Sequence, residues 1–278
     1  MIEPYFSEKD FTLYHGDIFE VLNQFEESKF DLIFADPPYF LSNDGITCSS
    51  GKMVSVNKGK WDRSKGFEED INFIDSWLNA CKRVLNKNGS IWISGTLHII
   101  YKAGYLLEKN GYDIINDIVM YKPNAPPNLS CKYFTHSHEI VLWARKSKNA
   151  HHTFDYEKMK TWNNPKDKLK NKDKQMRSVW SIPLMPQDEK EFGKHPTQKP
   201  LELLNRIISS SSKESDLVLD PFVGSGTTGI VCSILNRKFI GIDSNKEYLD
   251  IAIKRFKDKN KKNLLFSPET KNHLMKYI

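Results

Sequence analysis

Asp216-Leu217-Val218-Leu219-Asp220-Pro221-Phe222-Val223-Gly224-Ser225-Gly226-Thr227-Thr228-Gly229 is the stretch that decides the fold. It reads as a short apolar run, an acid, a glycine-rich turn, and then a helical pattern from Thr227 to Leu235. A continuous apolar run is the mark of a central parallel strand, buried on both faces. Glycines at its end let the chain turn tightly and let a ligand approach the backbone. A second run, Lys238-Phe239-Ile240-Gly241-Ile242-Asp243, also ends in an acid. That acid is placed to accept both hydroxyls of a ribose. The unit is therefore a nucleoside-binding strand, loop, helix and strand.

The spacing of Gly224, Gly226 and Gly229 also fits a nicotinamide dinucleotide. A dinucleotide needs a second mononucleotide half, and few residues follow Asp243. Asp220 would moreover face a negatively charged pyrophosphate. A carboxylate there suits a cationic ligand, a sulfonium or an α-ammonium group, which favours S-adenosylmethionine.

Far upstream, Leu32-Ile33-Phe34-Ala35 is another buried-strand run, followed by Asp36-Pro37-Pro38-Tyr39. Both motifs thus stand just past the carboxyl end of a strand, where open α/β sheets bind ligands. Asp-Pro-Pro-Tyr taken alone is also a rigid turn. Its chemistry suits a flat amino-bearing base. The exocyclic nitrogen of adenine is a poor nucleophile because its lone pair is delocalised into the ring. Asp36 and the carbonyl of Pro37 can accept its two N–H bonds and turn the lone pair toward a methyl donor. Pro37 and Pro38 fix that carbonyl, and Tyr39 can stack on the base. A base in a duplex must be flipped out to be reached.

The rest of the chain bounds this reading. With 278 residues and 39% hydrophobic content, it can form one large α/β domain, or one domain with an insertion. No long uncharged apolar stretch and no signal-like N-terminus are present, so a cytoplasmic protein without a membrane span is expected. Cys48, Cys81, Cys131 and Cys232 are scattered without metal-ligand spacing, so no metal site is expected. The formal net charge of +6 is compatible with a polyanionic partner.

Strand-like segments alternate with helical ones. Phe11 to Tyr14 reads as a strand and Phe19 onward as a helix. Phe67 to Leu85 and His98 to Lys109 read as helices, the first ending at Asn88-Gly89. Ser90 to Ser94, Ile114 to Tyr121 and Glu139 to Ala144 read as strands. A largely parallel sheet wrapped in helices follows. Phe40 to Trp61 reads as one long functional loop. Arg145 to about Gln187 is rich in lysine and asparagine, with Phe154, Tyr156, Trp162 and Trp180 interspersed. Basic residues among aromatics suit nucleic-acid contact, although such aromatics can equally pack on the main domain. Lys254 to Lys259 reads as the solvated end of a helix.

Three motifs in this order resemble the β-class DNA amino-methyltransferases: Asp36-Pro37-Pro38-Tyr39, Lys194-His195-Pro196-Thr197-Gln198-Lys199-Pro200, and Asp220-Pro221-Phe222-Val223-Gly224-Ser225-Gly226-Thr227-Thr228. Within that class, Phe34 to Asn43, Asn128-Leu129-Ser130-Cys131 and Tyr133-Phe134-Thr135-His136-Ser137 are similar to the second GATC methyltransferase of DpnII-type restriction-modification systems. The resemblance implies a Rossmann-like α/β fold with circularly permuted motif order. It implies a catalytic half over 1–144, a target-recognition insertion over 145–190 and a cofactor half over 191–278. Asp36, Pro37, Pro38 and Tyr39 would be catalytic. S-adenosylmethionine would be held by Asp17, Asp36, His195, Thr197, Lys199, Asp220, Phe222, Gly224, Ser225, Gly226, Thr227 and Asp243. Asp17 would sit by the cofactor's base, though Gly-Asp after a strand is also a common helix N-cap. His136 and His138 are read as structural or DNA-facing, since N-methylation of an amine needs no strong base.

By the same resemblance, Asp rather than Ser at position 36 implies adenine N6 over cytosine N4. The partner would be DNA, single- or double-stranded, with a homodimer and a cognate restriction enzyme as further implications. Cytosine N4, RNA and protein glutamine remain alternative amino or amide substrates. A catalytically inactive DNA-binding module is the alternative outside enzymes.

Overall fold

The apolar runs become the middle of one sheet. The structure is a computed structural model that describes residues 2–42, 45–49, 52–56, 59–128, 131–160, 162, 174–183, 192–193 and 196–265. Among these, the strands are β1 (Phe6–Glu8), β2 (Phe11–His15), β3 (Phe30–Ala35), β4 (Gly45–Ser49), β5 (Lys52–Val56) and β6 (Leu85–Gly95). They continue with β7 (Asp113–Tyr121), β8 (His138–Arg145), β9 (Val179–Ser181), β10 (Leu217–Asp220) and β11 (Lys238–Asp243). The helices are α1 (Ile18–Leu22), α2 (Phe67–Val84), α3 (Ile100–Lys109), α4 (Tyr156–Lys160), α5 (Leu201–Ser211), α6 (Thr227–Ile234) and α7 (Lys246–Leu265).

Nine strands form one sheet in the order β1-β2-β11-β10-β3-β6-β8-β7-β9. The centre, β2-β11-β10-β3-β6, is parallel throughout. The flanks are mixed: β1 is antiparallel to β2, β8 is antiparallel to both β6 and β7, and β9 joins β7 in parallel. Side chains alternate across β3. Ile33 and Ala35 pack with Trp77 and Leu78 of α2 and Leu106 and Leu107 of α3, whereas Leu32 and Phe34 join Leu204 and Ile208 of α5. Helices therefore cover both faces, which is why the central strands lack polar alternation. β10 and β3 are neighbours despite their distance in sequence, with Val218 beside Leu32 and Leu219 beside Ile33. This pairing brings the two motifs to one edge.

Four sequence expectations change. The region from Phe40 to Trp61 is not one open loop, because β4 and β5 pair as an antiparallel hairpin within it. Helix α2 stops at Val84, and β6 begins at Leu85 rather than after Asn88-Gly89. The expected insertion returns a strand to the main sheet, with Trp180 of β9 buried against Trp92 at 6.0 Å between ring centroids. The basic run in α7 is solvated only in part, since Arg255 and Phe256 are both buried. Phe256 stacks on Phe11 at 4.2 Å.

Candidate active site

At the carboxyl ends of β3, β10 and β11 lies a cleft of about 240 Å³. Its wall includes Asp17, Asp36, Pro38, Thr197, Lys199, Asp220, Phe222, Gly224, Ser225, Thr227 and Asp243. Gly226, Pro37 and Tyr39 are not part of that lining. His195 lies outside the described residues.

Asp36 is held on both oxygens. Oδ1 accepts from the Tyr39 hydroxyl at 2.7 Å and the Ser94 hydroxyl at 2.5 Å. Oδ2 accepts from Lys199 Nζ at 2.6 Å. A carboxylate offers about four lone-pair positions. Three are filled, so the remaining one, on Oδ2, is available to a substrate N–H. Burial works against the Lys199 charge, but Asp36 and Glu139 outweigh it and raise the ammonium above its ordinary range. Lys199 therefore stays charged in the cleft wall, and its Nζ lies 5.2 Å from the centroid of the Tyr39 ring.

Tyr39, expected as a stacking platform, sits below the carboxylate and is 5% exposed. Burial first, then the charges of Asp36 and Glu139, push its phenol well up. It keeps its proton and donates to Asp36.

Asp62 was not picked out by the sequence, yet it organises this motif. It is fully buried. Its Oδ1 accepts from the backbone N–H of Tyr39 at 2.8 Å and of Phe40 at 2.9 Å. Its Oδ2 takes Leu41 N–H at 3.2 Å and the Ser42 hydroxyl at 2.9 Å. Phe40 has φ of 58°, a left-handed conformation uncommon for a large side chain. Asp62 thus fixes a strained turn directly behind the catalytic residues and ties it to the short 3₁₀ turn Lys60–Asp62. Ser94 at the end of β6 and Glu139 at the start of β8 were also missed. Their signal was a polar residue at the catalytic end of an otherwise apolar strand.

On the cofactor side, Asp220 Oδ1 accepts from Phe222 N–H at 3.0 Å, and Oδ2 from the Thr228 hydroxyl at 2.5 Å. Burial pushes its carboxyl up to about 7 against these two bonds, and the charges of Asp36 and Asp243 add to the rise. A buried acid that burial holds near neutrality, in a cleft whose Lys199 ammonium is engaged by Asp36, fits a positively charged ligand. Asp243 accepts from Gly224 N–H at 2.9 Å and Asn245 N–H at 2.8 Å, one on each oxygen. Each oxygen keeps a lone pair for a hydroxyl. Phe222 stands edge-on to Trp77, which holds one aromatic wall of the cleft in place. Asp17 lines the cleft and also caps α1, accepting from Phe19 N–H at 2.8 Å.

Gly226, expected among the cofactor residues, also packs against α7. It has φ of 80°, and a Cβ added there would lie 2.6 Å from Ala252 Cβ. It lets α7 approach the glycine loop. Ser225 and Thr227 line the cleft but are gripped from behind by Arg255 of α7. Arg255 donates to the Ser225 carbonyl at 2.7 Å and to both hydroxyls at 3.0 Å.

Fold and cleft together define a Rossmann-like S-adenosylmethionine-dependent methyltransferase. The sequence profile of the DNA methylase family, N6_N4_Mtase, matches residues 30–254, and the chain belongs to that family. It is 51% identical over 264 residues to the Type II methyltransferase M2.DpnII of Streptococcus pneumoniae, covering 95% of this chain and 96% of that one. It is 46% identical over 257 residues to the Type II methyltransferase M2.MboI of Moraxella bovis, covering 92% and 91%. The crystal structure of the M1.HpyAVI complex with S-adenosylmethionine superposes with a TM-score of 0.62 at 30% identity, covering 87% of this chain and 97% of that one. Among the described residues no metal-binding cluster of His, Cys, Asp and Glu occurs, and no helix is long and apolar enough to cross a membrane.

Proposed function

We propose that this methylase modifies the exocyclic N6 of adenine within GATC, on single- and double-stranded DNA, as the modifying half of a restriction-modification system in the cytoplasm. The carrying observation is Asp36, whose Oδ2 keeps one acceptor position in the wall of the cofactor cleft. The relatives' designations as Type II methyltransferases support the biological setting. An aspartate at position 36 favours N6 of adenine over N4 of cytosine.

Asp220, Asp243 and Phe222 would hold S-adenosylmethionine, through its cationic end, its ribose and its flat base respectively. When bound, the cofactor supplies an electrophilic methyl group. Asp36 accepts one amino N–H of the target and the Pro37 carbonyl accepts the other. Together they turn the lone pair out of the ring plane toward the methyl. Lys199, Ser94 and Tyr39 hold the carboxylate still, so little reorganisation remains for the transfer step. The amine's proton becomes acidic as the new bond forms, so no strong base is required.

The test is digestion of methylated DNA to nucleosides and mass spectrometry. Matched single and double strands with and without GATC would be compared, using Asp36→Ala as the control. N6-methyladenine confined to GATC and to the intact enzyme is expected. N4-methylcytosine would overturn the base assignment, and methyladenine in other contexts would overturn the target. Failure to methylate any DNA, with cofactor bound, would overturn the substrate.

A further inference from the structure

The connection between β7 and β8 leaves the sheet at the catalytic edge. Tyr121 at the end of β7 pairs with His138 at the start of β8, and Ile140 pairs with Gly95 at the end of β6. Its stem is closed by Lys122 N–H donating to the Ser137 carbonyl at 2.7 Å. Lys122 Nζ also bonds Glu139 Oε1 at 2.9 Å, and Glu139 Oε2 lies 3.5 Å from the Tyr39 hydroxyl. The stem therefore touches the hydrogen-bond network that holds Asp36.

Further out, Tyr133 is 61% exposed and Phe134 is 97% exposed, the most exposed of the large hydrophobic side chains among the described residues. The loop that carries them is held by hydrogen bonds on both sides of Phe134. Asn128 Nδ2 donates to the Tyr133 carbonyl at 2.7 Å, and Asn128 N–H donates to the Thr135 hydroxyl at 3.3 Å, so the two arms are tied across the tip. Between 122 and 138 the sequence carries Lys122, Lys132, His136 and His138 and no acid. A fully exposed phenylalanine in an acid-free loop, whose stem contacts the network that holds Asp36, fits a nucleobase far better than the apolar core of a protein partner.

We propose that Phe134, supported by Tyr133, is a stacking wedge that engages the bases next to the extruded adenine. The inference rests on the function proposed above. A duplex must unstack and release its target base before Asp36 can reach it. An aromatic side chain inserted beside the gap replaces the lost stacking, as apolar wedges do in other bent or opened duplexes. On single-stranded DNA there is no pair to break, so the wedge matters less.

The experiment compares wild type, Phe134→Ala and Phe134→Trp on a duplex and on its single strand, measuring kcat/KM on each. In parallel, the fluorescence of 2-aminopurine at the target position reports extrusion. Phe134→Ala is expected to lose roughly tenfold or more on the duplex and distinctly less on the single strand. The duplex fluorescence rise should shrink, and Phe134→Trp should recover both. Melting temperature should not move, because the side chain touches solvent. Equal losses on both substrates, or an unchanged fluorescence rise, would overturn the wedge. A wild-type enzyme that methylates no DNA would overturn the underlying function instead, and the fluorescence comparison would still judge the wedge by itself.

Discussion

Asp220 is where a single residue links cofactor, pH and stability. In the folded protein without ligand its carboxyl is pushed up to about 7, from an ordinary 3.8. The folded chain thus binds a proton more tightly than the unfolded chain does. Stability from this group is full at low pH and is lost as pH rises through about 7, over a window that opens near 4. Asp220→Asn should remove that dependence. Melting curves of ligand-free protein between pH 5 and 8 should show the wild type losing stability relative to the variant, by an amount on the order of a few kcal/mol. Affinity for S-adenosylmethionine should move the other way, rising as Asp220 ionises and levelling above pH 7 in the wild type only. Parallel pH profiles for the two proteins would refute the assignment.

Asp62 makes a different residue-scale prediction. Removing its carboxylate takes one hydrogen bond from each of three backbone N–H groups, of Tyr39, Phe40 and Leu41, at a cost of about 1–3 kcal/mol for a bond that is fully buried. Asp62→Ala should lower kcat by at least about tenfold while changing the cofactor dissociation constant much less, because the carboxylate positions Asp36's motif and not the glycine loop. Asp62→Asn should recover part of the rate, since one amide oxygen can still serve Tyr39 and Phe40. Equal losses in kcat and cofactor binding would mean general unfolding. Asp36, Asp220 and Asp243 were legible in the sequence because each ends an apolar run. Ser94 and Glu139 showed only as polar residues at strand ends, and Asp62 not at all, because their partnership with the motif spans 58, 100 and 23 residues. Such distances leave no periodic trace.

At the scale of elements, the glycine loop and α7 form one unit. Gly226 admits Ala252, and Arg255 ties down Ser225 and Thr227. Gly226→Ala meets both a left-handed φ and a clash with Ala252, so a loss of about 1–3 kcal/mol is expected. Thermal melting would read the loss and calorimetry the accompanying fall in cofactor affinity. A variant as stable as the wild type would show that α7 yields easily. The misreading of α7 has a physical cause. Its lysines dominate composition, whereas its buried stripe, Leu249, Ala252 and Phe256, is sparse. The hairpin of β4 and β5 was hidden for a related reason, since the alternation in Ile46-Thr47-Cys48-Ser49 and Val54-Ser55-Val56 is short and set among the Ser, Asn, Gly and Lys that dominate the segment. The central strands were readable because burial on both faces demands continuous apolar sequence.

Across the whole molecule the charges are divided. The formal net charge is +6, yet Asp17, Asp36, Asp220 and Asp243 all line the cleft, where Lys199 is engaged with Asp36. The positive surplus therefore lies elsewhere, available to a phosphate backbone, while the cleft suits a cationic cofactor. The two ligands should then respond differently to salt. DNA binding releases counterions and weakens steeply with salt. A cofactor held in a largely buried cleft is screened much less. Raising potassium chloride from about 50 to about 200 mM should lower affinity for a GATC duplex by at least about tenfold. Over the same range affinity for S-adenosylmethionine should change by no more than about twofold. Fluorescence anisotropy reads the first and calorimetry the second. The logarithmic slope should be somewhat shallower for the single strand, whose phosphates are less densely charged. A salt-insensitive duplex affinity would place recognition in base contacts alone and leave the basic surface without a ligand.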